Sequence, residues 1–366
     1  MFSPVSQLQN LWQLAHMLSR VGAAAQPAQP AQPLPPQPPQ TGGAPAPVQP
    51  GDTFQPSGKD SRTRLNDALA SNPAAQAALQ SLENRGKLKP NEQGKNALVD
   101  QLSRLSGQPE LLGQVVQDLA HPGKMKQGKD NKFCAQTATL SDLARESPAR
   151  YARVAADLAL NGSSKVLGGA TLTAQKDLDQ SKMGSMSATQ KLMAPALAEY
   201  ANGAGMEVDA KGVSHATDAR KTNRTVAGTF STGMEKMQQA VLGHDWDSQY
   251  IDDSKKGHKH SVDSAERTIH SNLKDGETPQ VSRNGHWFNV TGFRATPDGG
   301  RMTIQDPLTG DSRTVNARHF LNNAEAVTFD KTERKPDQEL MAKPKKEKPG
   351  GGGNAAGSGG SVEDRC

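Results

Sequence analysis

Between Gly285 and Phe293 apolar and polar residues alternate, and they do so again from Met302 to Asp306. That is the period of a half-buried strand, not of a helix. Residues 295–300 between the two runs are dense in turn formers, so the pair predicts a β-hairpin in which His286 opens one strand and Asp306 closes the other. Counted back from the turn, the ladder sets Asp306 opposite Asn289, three residues from His286 (289 − 286 = 3). A bulge or twist is then needed to bring the two side chains together. Shorter runs at 312–315 and 326–329 predict further strands.

The rest of the central chain has helical spacing. Leu65, Leu69, Ala75, Leu79 and Leu82, then Leu98, Leu102, Leu105, Leu112, Val116 and Leu119, fall on helical intervals broken at Gly86, Pro90 and Pro109. This predicts about three helices over 60–120, with no chemistry of their own. Residues 122–132 form a polar, Gly- and Lys-rich loop, and a helix is predicted from Cys134 to Ala144. Further helices are predicted at 148–160, 187–203, 232–242 and 264–273, whereas 204–230 fits no element.

Composition divides the chain. Hydrophobic residues make up 34% and aromatic residues 4%, with 35 Gly and 24 Pro, which is too little apolar content for a wholly folded chain of 366 residues. Residues 1–22 carry Leu8, Leu11, Trp12, Leu14 and Leu18 at helical spacing with little charge opposite, which predicts an amphipathic segment for a chaperone or other partner rather than for a membrane surface. Residues 23–59 are a Pro/Gln-rich linker, 60–120 a helical module, 121–330 the main folded domain and 331–366 a basic, Gly-rich tail. No run of about 18 apolar residues is present, so no transmembrane segment is expected. The N-terminus has no Lys or Arg before its apolar part and is a poor signal peptide. The net charge of +5 is concentrated in the stretch 343–348, and without a recognition motif it does not point to nucleic acid.

Two cysteines are present, Cys134 and Cys366. Cys366 is the last residue, behind the Gly-rich tail, and a structural disulfide between the two is not expected; lone cysteines suit a reduced compartment or a reactive thiol. A thiol is a nucleophile as the thiolate, and a helix N-terminus, where Cys134 falls, favours that form through its dipole and free amides. Such a thiolate needs an imidazole to form the ion pair and a third group to orient the ring. His286 lies 152 residues downstream (286 − 134 = 152) and Asp306 another 20 (306 − 286 = 20), in the order Cys, His, Asp.

The runs Leu273–Val281, Gly285-His286-Trp287-Phe288-Asn289-Val290-Thr291-Gly292 and Ile304-Gln305-Asp306-Pro307-Leu308-Thr309-Gly310 resemble the C39-like branch of the papain-like cysteine peptidases. The resemblance implies an α+β papain-like fold, with a helical half led by the Cys134 helix and a small antiparallel sheet holding His286 and Asp306. It implies a thiol hydrolase, foremost a cysteine protease acting on a protein or peptide substrate, with Cys134, His286 and Asp306 catalytic and no metal or cofactor. Gln136 stands where the family usually has Pro. The oxyanion-hole glutamine maps to Gln127, seven residues before the cysteine, with Asn131 as the other choice. By analogy the whole chain resembles a bacterial effector secreted without a classical signal peptide; the alternative is a cytoplasmic protein.

Three other readings compete. One is a deamidase, acyl transferase or cell-wall amidase on the same scaffold; another is a catalytically inactive, peptide-binding relative in which Cys134 is packing; the third is a scaffold whose working parts are the linker and tails. His244-Asp245 and Asp252-Asp253 with His258 and His260 match no closed zinc motif, and Lys255, Lys256 and Lys259 crowd them, which predicts a solvated loop. The Gly run 350–353 follows no strand and is not a phosphate cradle.

Overall fold

The computed structural model describes residues 60–331 apart from 93, 130, 204–205, 217–224, 252–260 and 297–299. The N-terminal amphipathic segment, the linker, the tail beyond Lys331 and the cluster Asp252, Asp253, His258 and His260 lie outside those residues. All the described residues fall within one compact unit, Pro56–Cys366.

Four helices open it: α1 (Ser61–Leu69), α2 (Pro73–Asn84), α3 (Ala97–Ser103) and α4 (Pro109–Ala120). Their starts are written in the sequence. Asp60, Asn72 and Asn96 each accept from the amide three residues on, and Pro73 and Pro109 occupy first-turn positions where a missing N–H costs nothing. Next come α5 (Cys134–Glu146), α6 (Pro148–Asn161), the ribbon β1 (Ser163–Lys165) with β2 (Thr171–Thr173), and α7 (Ala188–Asn202). The unassigned stretch contains a three-stranded antiparallel sheet, β3 (Met206–Val208), β4 (Val213–Ala216) and β5 (Thr225–Ala227). Then follow α8 (Ser231–Leu242), β6 (Trp246–Tyr250) and α9 (Val262–Lys274). The last part is β7 (Gln280–Arg283), β8 (His286–Arg294), β9 (Arg301–Asp306), β10 (Asp311–Asn316), α10 (Ala317–Leu321) and β11 (Ala324–Asp330).

The fold is mixed α+β. Its main sheet has six antiparallel strands in the order β10-β9-β8-β7-β11-β6. Alternation along the strands sends side chains to two apolar cores. Trp287 and Ala326 join the larger core, which α1–α8 supply. Val281, Phe288, Val290, Ile304 and Val327 join a smaller one closed by Ala265 and Ile269 of α9 and Phe320 and Leu321 of α10. The helices of 60–120 share the larger core with α5–α8.

The hairpin has the predicted ends, His286 and Asp306. Its register shifts between Val290 and Gly292, so Asn289 pairs with Gln305. Thr291 is the extra residue, and it is exposed. Asp306 is thereby moved opposite Phe288, two residues from His286. A one-residue shift also changes the face a side chain points to. Without the bulge Asp306 would point with Asn289; with it, Asp306 shares a face with His286.

Candidate active site

A two-residue turn, Asn284-Gly285, sets His286 at the start of β8. Arg283 pairs with His286 across it, and both turn residues have positive φ, +53° and +68°. That is the turn whose twist matches a hairpin, and Asn-Gly is the sequence that accepts it best. The next alternate residue, Phe288, meets the imidazole edge-on with centroids 4.6 Å apart.

His286 Nε2 lies 2.8 Å from Asp306 Oδ1, with the side chains 20% and 15% exposed. The Leu308 N–H also donates to Asp306 Oδ1 at 2.9 Å. Partial burial raises the Asp306 pKa, but the hydrogen bonds from His286 and Leu308 outweigh it, and the carboxyl is held below its ordinary 3.8. Asp306 is therefore ionised beside the imidazole. With Nε2 on Asp306, ring nitrogen Nδ1 has no partner among the described residues.

Cys134 is the first residue of α5, the N-cap Phe133 supplies no side-chain hydrogen bond, and the thiol is wholly buried. The first-turn amides consequently lack a side-chain cap. The expectation of a lone thiol is corrected: Cys134 is disulfide-bonded, and the chain's one other cysteine, Cys366, lies outside the described residues.

Two routes tie the Cys134 end of α5 to the His286–Asp306 end of the sheet. The loop before α5 is one. The Gln127 N–H donates to Pro307 O at 2.8 Å, Gln127 Nε2 donates to Asn131 O at 3.0 Å, and the Phe133 N–H donates to Asn131 Oδ1 at 3.2 Å. Asn131 Nδ2 returns a bond to Gln127 O. Gly310, at φ +69°, backs onto this loop, where a Cβ would stand 2.9 Å from Lys124 O. The second route is Thr229, which accepts from Trp287 Nε1 through its carbonyl at 3.1 Å and from Gln136 Nε2 through its hydroxyl at 2.6 Å.

Alternation puts Trp287 and Asn289 on the α5 side and His286 with Phe288 on the other. His286 and Asp306 are brought together; Cys134 belongs to the helix on the opposite face. As the first residue of its strand, His286 stands at the end of the sheet, where Pro307 meets the loop carrying Gln127. The side chain of Gln127 is buried, with Oε1 unpartnered among the described residues and one Nε2 hydrogen committed to Asn131.

A buried polar seam went unread in the sequence. Gln280, Asn289 and Gln305 sit side by side across β7, β8 and β9, each at most 1% exposed. Asn289 Nδ2 donates to Ala138 O at 3.1 Å and to Asp142 Oδ1 at 3.0 Å, and Gln280 donates to Asp142 Oδ2. Arg145 donates to Asp142 Oδ1 at 2.7 Å and to Gln305 Oε1 at 3.0 Å. Burial pushes the Asp142 pKa up to about 6 against these donors. Three amides at alternate strand positions were the available signal, but they resemble a solvated face.

No protein-family model and no curated protein matches this sequence.

Proposed function

We propose that the chain is a thiol hydrolase of papain-like architecture, foremost a cysteine peptidase, whose nucleophile is Cys134 in its reduced form. The His286–Asp306 pair carries this reading, because it leaves Nδ1 as the ring nitrogen for a thiol. The uncapped start of α5 supports it. There the Cys134 thiolate attacks a peptide carbonyl, and the charge on oxygen is met by the Cys134 N–H and the second hydrogen of Gln127 Nε2. The imidazolium protonates the leaving amine, and water then hydrolyses the thioester with His286 as base. This reading requires thiol and imidazole to meet around the end of β8, since the strand separates them elsewhere.

A second reading, a peptide-binding module in which Cys134 only packs, is favoured by the complete burial of Cys134 and its disulfide. Iodoacetamide labelling across pH after reduction, with mass spectrometry of the Cys134 and Cys366 peptides, decides between them. The enzyme reading expects Cys134 to alkylate at clearly lower pH than Cys366, and His286→Ala to abolish the difference. A Cys134 that stays inert, or labels like Cys366, overturns it.

A further inference from the structure

At the other end of α5 a second group of side chains converges from separate parts of the chain. Glu146 is the last residue of α5, His244 lies between α8 and β6, and Glu277 lies between α9 and β7. One donor atom from each lies within 4.8 Å of the other two. The group is not merely acidic, because it contains an imidazole with a buried carboxylate beside it. His244 Nδ1 stands 3.1 Å from Asp330 Oδ2, at the end of β11, and the Asp330 side chain is 1% exposed. Carboxylates that orient a ligating histidine in this way are a regular feature of metal sites. A second observation concerns Glu146 Oε1, which is closed off from solvent without a hydrogen-bond partner among the described residues.

The charge needs an answer. Glu146 and Glu277 bring two carboxylates to one spot. The Arg145 guanidinium beside them is already bonded to Asp142 and Gln305. A divalent ion would neutralise the two carboxylates.

We propose that Glu146, His244 and Glu277 bind a divalent transition-metal ion of the Zn2+ or Mn2+ class, with Asp330 orienting His244. The imidazole selects this class over Mg2+ and Ca2+, which take oxygen ligands. Ligands at about 2.0–2.2 Å from the ion require the three donor atoms to close by roughly 1 Å, within the reach of two glutamate side chains. The role is structural. Glu146 is twelve residues along α5 from Cys134 (146 − 134 = 12), about 18 Å at the helical rise, so the ion takes no part in thiol chemistry. It clips the end of α5 to the loops that lead into β6 and β7. The inference is independent of the peptidase reading.

The test uses the full-length chain, reduced and stripped of metal with a chelator, then titrated with Zn2+, Mn2+ or Mg2+ by calorimetry and thermal unfolding. One Zn2+ or Mn2+ per chain is expected, with a rise in melting temperature and weaker uptake of Mg2+. Glu146→Gln and His244→Ala should abolish the uptake, and Asp330→Asn should weaken it by about 10- to 100-fold. Metal-free Glu146→Gln should melt no lower than the parent, because it removes a crowded carboxylate. That control separates a lost site from a lost fold. Absence of uptake overturns the proposal, and so does uptake that these substitutions leave unchanged. Mg2+ bound as tightly as Zn2+ overturns the assigned class.

Discussion

At the scale of single residues, the proposed chemistry rests on a carboxylate that stays ionised next to an imidazole. Asp306 has its folded pKa held below 3.8, so its stabilising contribution is present above the unfolded value and is lost as pH falls through the folded one. The stability gap between the parent and Asp306→Asn should therefore be full near neutral pH and shrink below about pH 4 in chemical denaturation. In a peptidase assay the same substitution should cut turnover by about 100-fold or more, because it removes the group that fixes the ring. The pairing of His286 with Asp306 could be anticipated from the chain, since both fall at the open end of one predicted hairpin. Gln280, Asn289 and Gln305 could not, because an amide in a strand reads the same whether it faces water or a buried carboxylate. Only the helix that covers them decides which.

Most elements were legible in the chain, but what each face packs against was not. The helices predicted at 148–160, 187–203, 232–242 and 264–273 correspond to α6 to α9, and the two short runs after the hairpin correspond to β10 and β11. The helix predicted from Cys134 to Ala144 is α5, but its complete burial was not legible, because it carries Thr137, Thr139, Ser141 and Asp142. Its partners are the polar seam, which no hydrophobic period announces. Asn289→Ala should take away a donor from Asp142 and leave the Ala138 carbonyl short of one. Buried groups so stranded cost about 1–3 kcal/mol, measurable as a lower denaturation midpoint at unchanged slope. The bulge at Thr291 allows a test of the register. Deleting Thr291 removes the extra residue but leaves Val290 paired with Ile304 and Asn289 with Gln305, so Asp306 stays opposite Phe288 on the His286 face. A ΔThr291 chain that keeps its circular dichroism should therefore retain any low-pH alkylation of Cys134 that His286→Ala abolishes.

For the whole molecule, the main sheet is a wall between two apolar cores, and the Cys134 helix and the His286–Asp306 pair belong to different sides of it. Trp287 fills the larger core at 1% exposure while its neighbours His286 and Phe288 face the smaller one. The geometry of any site at the end of β8 thus depends on both cores holding the sheet still. Trp287→Ala should cost about 3–5 kcal/mol and remove the Thr229 tie together with the packing. The disulfide acts at this same scale, because it commits the proposed nucleophile until a reductant releases it. Cys366→Ser removes the only other cysteine in the chain and leaves the described unit intact. Cys134 in that variant should alkylate without added reductant, at the pH where the reduced parent does. Cys134 in the unreduced parent should not label. Label on Cys134 in the unreduced parent would instead mean that the thiol is open to substrate from the outset, with no redox step before catalysis.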